Sequence, residues 1–153
     1  MPGDEAVALR RLLVEELRGA SDRAAVAGAQ QLVLSLMRTP QGLPLPASLV
    51  VTVVDVGTPA AAARLELPVE DGDERDSARV PGGHVVRRVR EVAVDSALTE
   101  PGTPSLAADY WLRREDGPHV GVLAFSTPLV ALRDGVLPLF DAVVASARWH
   151  DPA

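Results

Sequence analysis

Residues 107–126, AADYWLRREDGPHVGVLAFS, decide the fold. Apolar and polar side chains alternate from Ala107 to Arg114, stop at Glu115-Asp116-Gly117-Pro118, and an apolar run resumes over His119–Ser126. Asp-Gly between two such runs is the turn chemistry of a β-hairpin, because glycine supplies the positive φ that a tight reversal needs. Strands are therefore expected over 107–114 and 119–126.

The surrounding segments read outward from this hairpin. Upstream, Pro81-Gly82-Gly83 turns the chain into a strand over about 84–94, and Thr99–Ser105 is a Pro/Gly/Thr/Ser loop. Ser48–Val56 is a Val-rich strand. Gln30–Arg38 fits a helix through Val26, Val33 and Met37, or a strand through Leu32, Leu34 and Leu36. The Pro/Gly connector Thr39–Pro46 favours a hairpin over about 30–56. Thr58-Pro59 followed by four alanines supplies a cap and a proline at the first helical position, so a short helix is expected over 58–65. Its rival is a strand through Leu65, Leu67 and Val69.

Helical spacing marks both ends of the chain. Ala6, Leu9, Leu13 and Leu17 recur at three- and four-residue intervals between Asp4 and Gly19, predicting a helix over about 4–18. Leu132, Val136, Phe140, Val143 and Ala147 predict a helix over about 134–149, with Pro138 confined to its first turn. The expectation is a single α+β domain over 1–153, an antiparallel sheet of about five to six strands flanked by an N-terminal and a C-terminal helix.

Composition excludes whole classes of chemistry. The chain has 153 residues, a net charge of −6 and no cysteine, and all 15 of its basic residues are arginine. Lysine, asparagine and isoleucine are also absent, which points to a high-GC, actinobacterium-like genome and discounts arginine as a phosphate-binding signal. Without lysine there is no Schiff base or Walker-type phosphate ligand; without cysteine there is no thiol nucleophile, zinc-thiolate site or disulfide. An acidic chain with a pI near 5.0 lacks the basic stripe of a nucleic-acid binder. No apolar run reaches the ~18–20 residues of a membrane span, and Met1–Glu5 lacks the basic-then-apolar order of a signal peptide, so a cytoplasmic protein is expected.

No catalytic motif assembles. His84, His119 and His150 form no local ligand pair, although His84 and His119 would meet if their strands were neighbours. Six acids lie between Glu66 and Asp76 and predict an acidic loop over Glu70–Ser77, but a calcium-loop count from Asp71 puts Arg75 at the fifth position and Gly82 at the twelfth. None of the serines sits in Gly-x-Ser-x-Gly. Neither a catalytic residue nor a cofactor or metal site is therefore assigned.

Val122–Pro128 and Leu139–Trp149 resemble the C-terminal signature of small actinobacterial proteins with a PsbP-like fold, and Pro46–Val53 and Val80–Arg87 fit the same pattern. That superfamily includes the photosystem II extrinsic subunit and a Ran-binding protein. The resemblance implies a helix-flanked sheet in a mostly non-enzymatic, protein-binding family, and it carries over no catalytic residues.

The residues themselves offer one interaction surface. The strand over 84–94 carries arginine on both faces, and Arg88, Arg90, Tyr110, Trp111 and Arg113 together have the composition of an interface hot spot. The competing account pairs those arginines with Asp109 and Glu91. The expected function is a non-enzymatic protein-binding or adaptor domain with an unidentified protein partner, an immunity or secretion-accessory protein being a special case. The alternative is a small-molecule carrier or enzyme with a cavity between sheet and C-terminal helix. A homodimer is compatible with either.

Overall fold

The computed structural model describes residues 31–38, 44–94 and 102–150, together with seven isolated positions before residue 23. Among the described residues, six strands form one antiparallel sheet: β1 (Gln31–Arg38), β2 (Pro44–Asp55), β3 (Glu74–Val80), β4 (Gly83–Val94), β5 (Thr103–Arg113) and β6 (His119–Thr127). Their spatial order is β1-β2-β6-β5-β4-β3. Two α-helices accompany it, α1 (Pro59–Arg64) and α2 (Arg133–Ser146), the second entered through a 3-10 turn at Val130–Leu132. Most of the helix expected over 4–18 lies outside the described residues.

The order follows from the local signals. The Asp-Gly hairpin pairs β5 with β6, Arg113 opposite Val120, and β4 lies on the other side of β5, His84 opposite Arg113. Residues 31–38 take the strand alternative and pair with β2, Arg38 opposite Pro44. β2 then docks against β6, so the chain must cross the sheet to reach β3 at the far edge. The crossing is made through α1. Thr58 Oγ1 accepts the Ala61 amide at 3.0 Å and Pro59 opens the helix, which settles 59–64 as helical; residues 65–69 form no strand.

Pro44–Pro46, expected in the connector, and Thr103–Ser105, expected in a loop, instead open β2 and β5 because each pairs with a neighbouring strand; two further expectations are corrected. The segment Glu70–Ser77, read as an acidic loop, yields from Glu74 onward to β3, whose residues Glu74–Arg79 are all exposed. Dense charge concealed this strand, and dense charge is what an edge strand uses against edge-to-edge association. The Ser77 amide is already held by Asp76 Oδ1 at 2.8 Å. In α2, Pro138 lies inside the helix rather than in its first turn, because the helix begins at Arg133. The hydrogen bond it removes would have ended on the Asp134 carbonyl, and Pro138 itself is exposed.

The core lies between α2 and one face of the sheet. Val136, Leu137, Phe140 and Val144 of α2 are buried against Val85, Val89, Leu106, Ala108, Tyr110, Leu123 and Phe125. The Phe140 ring stacks on Phe125 at 4.4 Å, and Tyr110 meets Phe125 edge-on at 5.4 Å. The expected stripe is thus shifted: Val144 is buried, whereas Leu132 and Val143 are 43% and 39% exposed. Phase was not readable because α2 is apolar on nearly every side.

Gly83 is fixed by close approach. It has φ +135, and a Cβ there would lie 2.0 Å from the Arg113 carbonyl oxygen. Gly57 has φ +89 but open space around it. In chemical denaturation, Gly57→Ala is expected to cost about 1–2 kcal/mol, the price of a left-handed conformation alone. Gly83→Ala is expected to cost about 3 kcal/mol or more, because backbone strain and a backbone clash combine.

Candidate functional site

Period two divides the expected interface residues between the two faces of the sheet. Arg88, Arg90, Trp111 and Arg113 share the face that α1 crosses, while Tyr110 points to the opposite face and is 2% exposed in the core. Of the four that remain together, Arg88 and Arg113 are tied into the fold, and the buried Arg90 Nε has no hydrogen-bond partner among the described residues. Arg88 Nε and Nη2 donate to Asp109 Oδ2 at 3.2 and 2.6 Å, and Arg88 Nη1 donates to the Pro68 carbonyl. Arg90 Nη2 stands 3.8 Å from the same Asp109 oxygen. Arg113 Nη1 donates to the Ala63 carbonyl at 2.9 Å, at the C-terminal end of α1, where a cation is favoured. Trp111 borders a small hollow of about 30 Å³ beside Ala62 and Leu67. This set braces the crossover segment onto the sheet.

Tyr110 and its neighbours form a second polar cluster, under α2. Its hydroxyl donates to Asp141 Oδ1 at 2.7 Å, and Arg87 Nη1 donates to both oxygens of Asp141 at 3.1 and 2.9 Å. Burial works against the Arg87 charge, but Asp141 outweighs it and holds the guanidinium above its ordinary pKa. Burial raises the pKa of Tyr110, and the hydrogen bond to Asp141 raises it further. The cluster borders a hollow of about 250 Å³ between β3, β4 and α2, whose walls include Ala78, Val85 and Val144.

His84 and His119 do not meet. β5 lies between their strands, and they stand on opposite faces of the sheet. Among the described residues no group of three His, Asp or Glu side chains converges.

A further concavity, at the end of the sheet, carries no signal in the sequence. In an antiparallel meander the β3–β4 and β5–β6 turns fall at the same end, and here the tail after α2 joins them. The result is a groove of about 750 Å³ lined by Arg79, Arg114, Glu115, Asp116, Arg148 and Trp149, among others. Trp149 Nε1 donates to the Gly82 carbonyl at 2.9 Å, and its ring lies over Gly121. Arg148 Nη1 donates to the Ala145 and Ala147 carbonyls at 2.9 and 2.8 Å, capping the end of α2. Arg79 pairs with Glu115, both side chains being well exposed. No family model, curated protein or solved structure matches this chain.

Tyr110 is the only tyrosine in the chain, so its ionisation can be followed alone by ultraviolet absorbance. Its folded pKa is raised from the ordinary 10.0, so folding favours the neutral phenol. That contribution is complete below pH ~10 and is lost as pH rises above it, because only the unfolded chain then ionises. Phenolate absorbance is expected to appear together with unfolding rather than near pH 10. Tyr110→Phe is expected to flatten the alkaline decline in stability.

Proposed function

We propose that this chain is a non-enzymatic protein-binding domain, PsbP-like in fold, that receives an extended acidic segment of a partner protein in the groove at the end of its sheet. The observation that carries the reading is the charge of that groove: three arginines stand against Glu115 and Asp116, in a chain whose net charge is −6. Local positive potential on an acidic protein selects acidic partners and repels most others. Trp149 adds a rigid apolar surface beside the arginines, the pairing that dominates interface energetics. On the sheet faces Arg87 and Arg88 are met by Asp141 and Asp109, and Arg113 by the Ala63 carbonyl.

Affinity capture from the native host, followed by titration of the captured protein, tests this reading. Arg114→Glu is expected to weaken the complex about tenfold and Asp116→Arg to strengthen it, while Glu91→Arg, remote from the groove, leaves it unchanged. Complexes indifferent to both groove substitutions, or a chain that captures no protein, would remove the assignment.

The hollow under α2 favours a second reading, a small-molecule carrier. Its walls are mostly apolar, and Asp76 and Asp141 flank Arg87 beside it, so the local charge is negative. An amine with a short apolar tail fits that chemistry. In thermal melts, n-hexylamine is expected to raise Tm where hexanoate does not, and Ala145→Trp, at the edge of the hollow, is expected to abolish the rise. Equal responses to both compounds would discard the carrier.

A further inference from the structure

The outward side of α2 is uncharged and open. Gly135, Pro138, Leu139, Ala142, Val143 and Ser146 are all exposed at helical spacing, and Leu139 and Val143 are 41% and 39% exposed. Asp141 is the one charged residue of α2 after Asp134, and it is turned toward Tyr110 and Arg87. Helices apolar on both sides are ordinarily covered on both. Leu132 of the preceding turn, 43% exposed, extends the apolar surface toward the start of the helix.

We propose that this surface is a homodimer interface, in which α2 packs antiparallel on α2 of a second copy about a two-fold axis near Ala142. The ends of the helix identify the occupant. Asp134, in the first turn, is exposed and makes no ion pair among the described residues. Arg148, just beyond the last turn, is exposed and bonds only backbone carbonyls. A two-fold axis beside residues 141–142 brings Asp134 of each copy toward Arg148 of the other across antiparallel helices, and sets opposite helix dipole ends together. A charged partner would find no complement along the middle of this face, whereas a second copy presents the same uncharged surface and satisfies both ends by symmetry. Gly135 and Ala142 leave the helices free to approach within about 8–10 Å. One helix pair covers less than the roughly 1,200–2,000 Å² of a tight complex, so association is expected in about the micromolar range.

Sedimentation velocity of the full chain across a concentration series is expected to show a monomer–dimer equilibrium. Ala142→Arg is expected to give a monomer with an unchanged circular dichroism spectrum. Asp134→Arg and Arg148→Asp are each expected to weaken the dimer about threefold to tenfold, and the double substitution to restore it. Because the chain has no cysteine, Ala142→Cys reports the geometry directly: oxidation is expected to give a covalent dimer, whereas Ala63→Cys on α1 gives none. A wild-type chain monomeric at the highest attainable concentration would overturn the proposal. So would a dimer indifferent to Ala142→Arg, or one that Ala142→Cys fails to cross-link.

Discussion

Everything on the helix side of the sheet depends on one stack, Phe140 of α2 on Phe125 of β6, with the edge of Tyr110 closing the third side. The chain has five aromatic residues, and three of them meet there. Burying each ring contributes roughly 1.5–3 kcal/mol, and well-placed pairs add about 0.5–1.5. The stack alone would leave the Tyr110 hydroxyl buried at a cost. Asp141, next after Phe140 in the helix, accepts that hydroxyl and binds Arg87 in the same contact. A phenol, a guanidinium and a carboxylate thereby satisfy one another, and the rotation of α2 about its own axis is fixed by a polar contact as well as by packing.

That fixed rotation has consequences at both ends of the helix and along its outer side. Fourteen residues of α2 span about 21 Å, enough to carry the chain from the 3-10 turn to the turn end of the sheet. Trp149 arrives there with its ring over Gly121 and its indole N–H on the Gly82 carbonyl, which ties the tail to two strand turns. Arg148 stays at the groove because its guanidinium caps the helix it has just left. The groove is therefore assembled by the helix, although no helical side chain lines it. Leu139 and Val143 are outward for the same reason: the stack points Phe140 and Val144 inward, and the helix geometry does the rest.

The sequence revealed those elements whose signal was local. Asp116-Gly117 between two apolar runs located β5 and β6, although Gly117 does not take the positive φ expected of it, and Thr58-Pro59 before four alanines located α1 because a cap and a proline fix the first turn. β3 was hidden because its stability comes from pairing with β4, while Glu74-Arg75-Asp76 looks like solvated loop when read without a neighbour. The face of α2 was hidden because Leu139 and Val143 are as apolar as Leu137 and Val144, so hydrophobicity carries no phase. The groove was hidden because it joins two turns and a tail that are far apart in sequence. Adjacent residues also misled: Tyr110 and Trp111 were grouped as one surface, yet the two-residue period of a strand places them on opposite sides of the sheet.

Arginine content alone could not have separated structural from binding roles, since codon bias supplies arginine at every basic position. Placement separates them. An arginine in mid-sheet is desolvated and must be met, and Asp109 and Asp141 meet Arg88 and Arg87 on opposite faces of the sheet. Each carboxylate neutralises one arginine, while Arg90 and Arg113 leave the α1 side of the central strands with more positive than negative charge. Arginines at the turns and the tail are engaged as well, Arg79 by Glu115 and Arg148 by the Ala145 and Ala147 carbonyls. At the end of the sheet the same balance recurs in the open: Arg114 and Arg148 stand with Glu115 and Asp116 beside the one tryptophan that the crossover does not occupy.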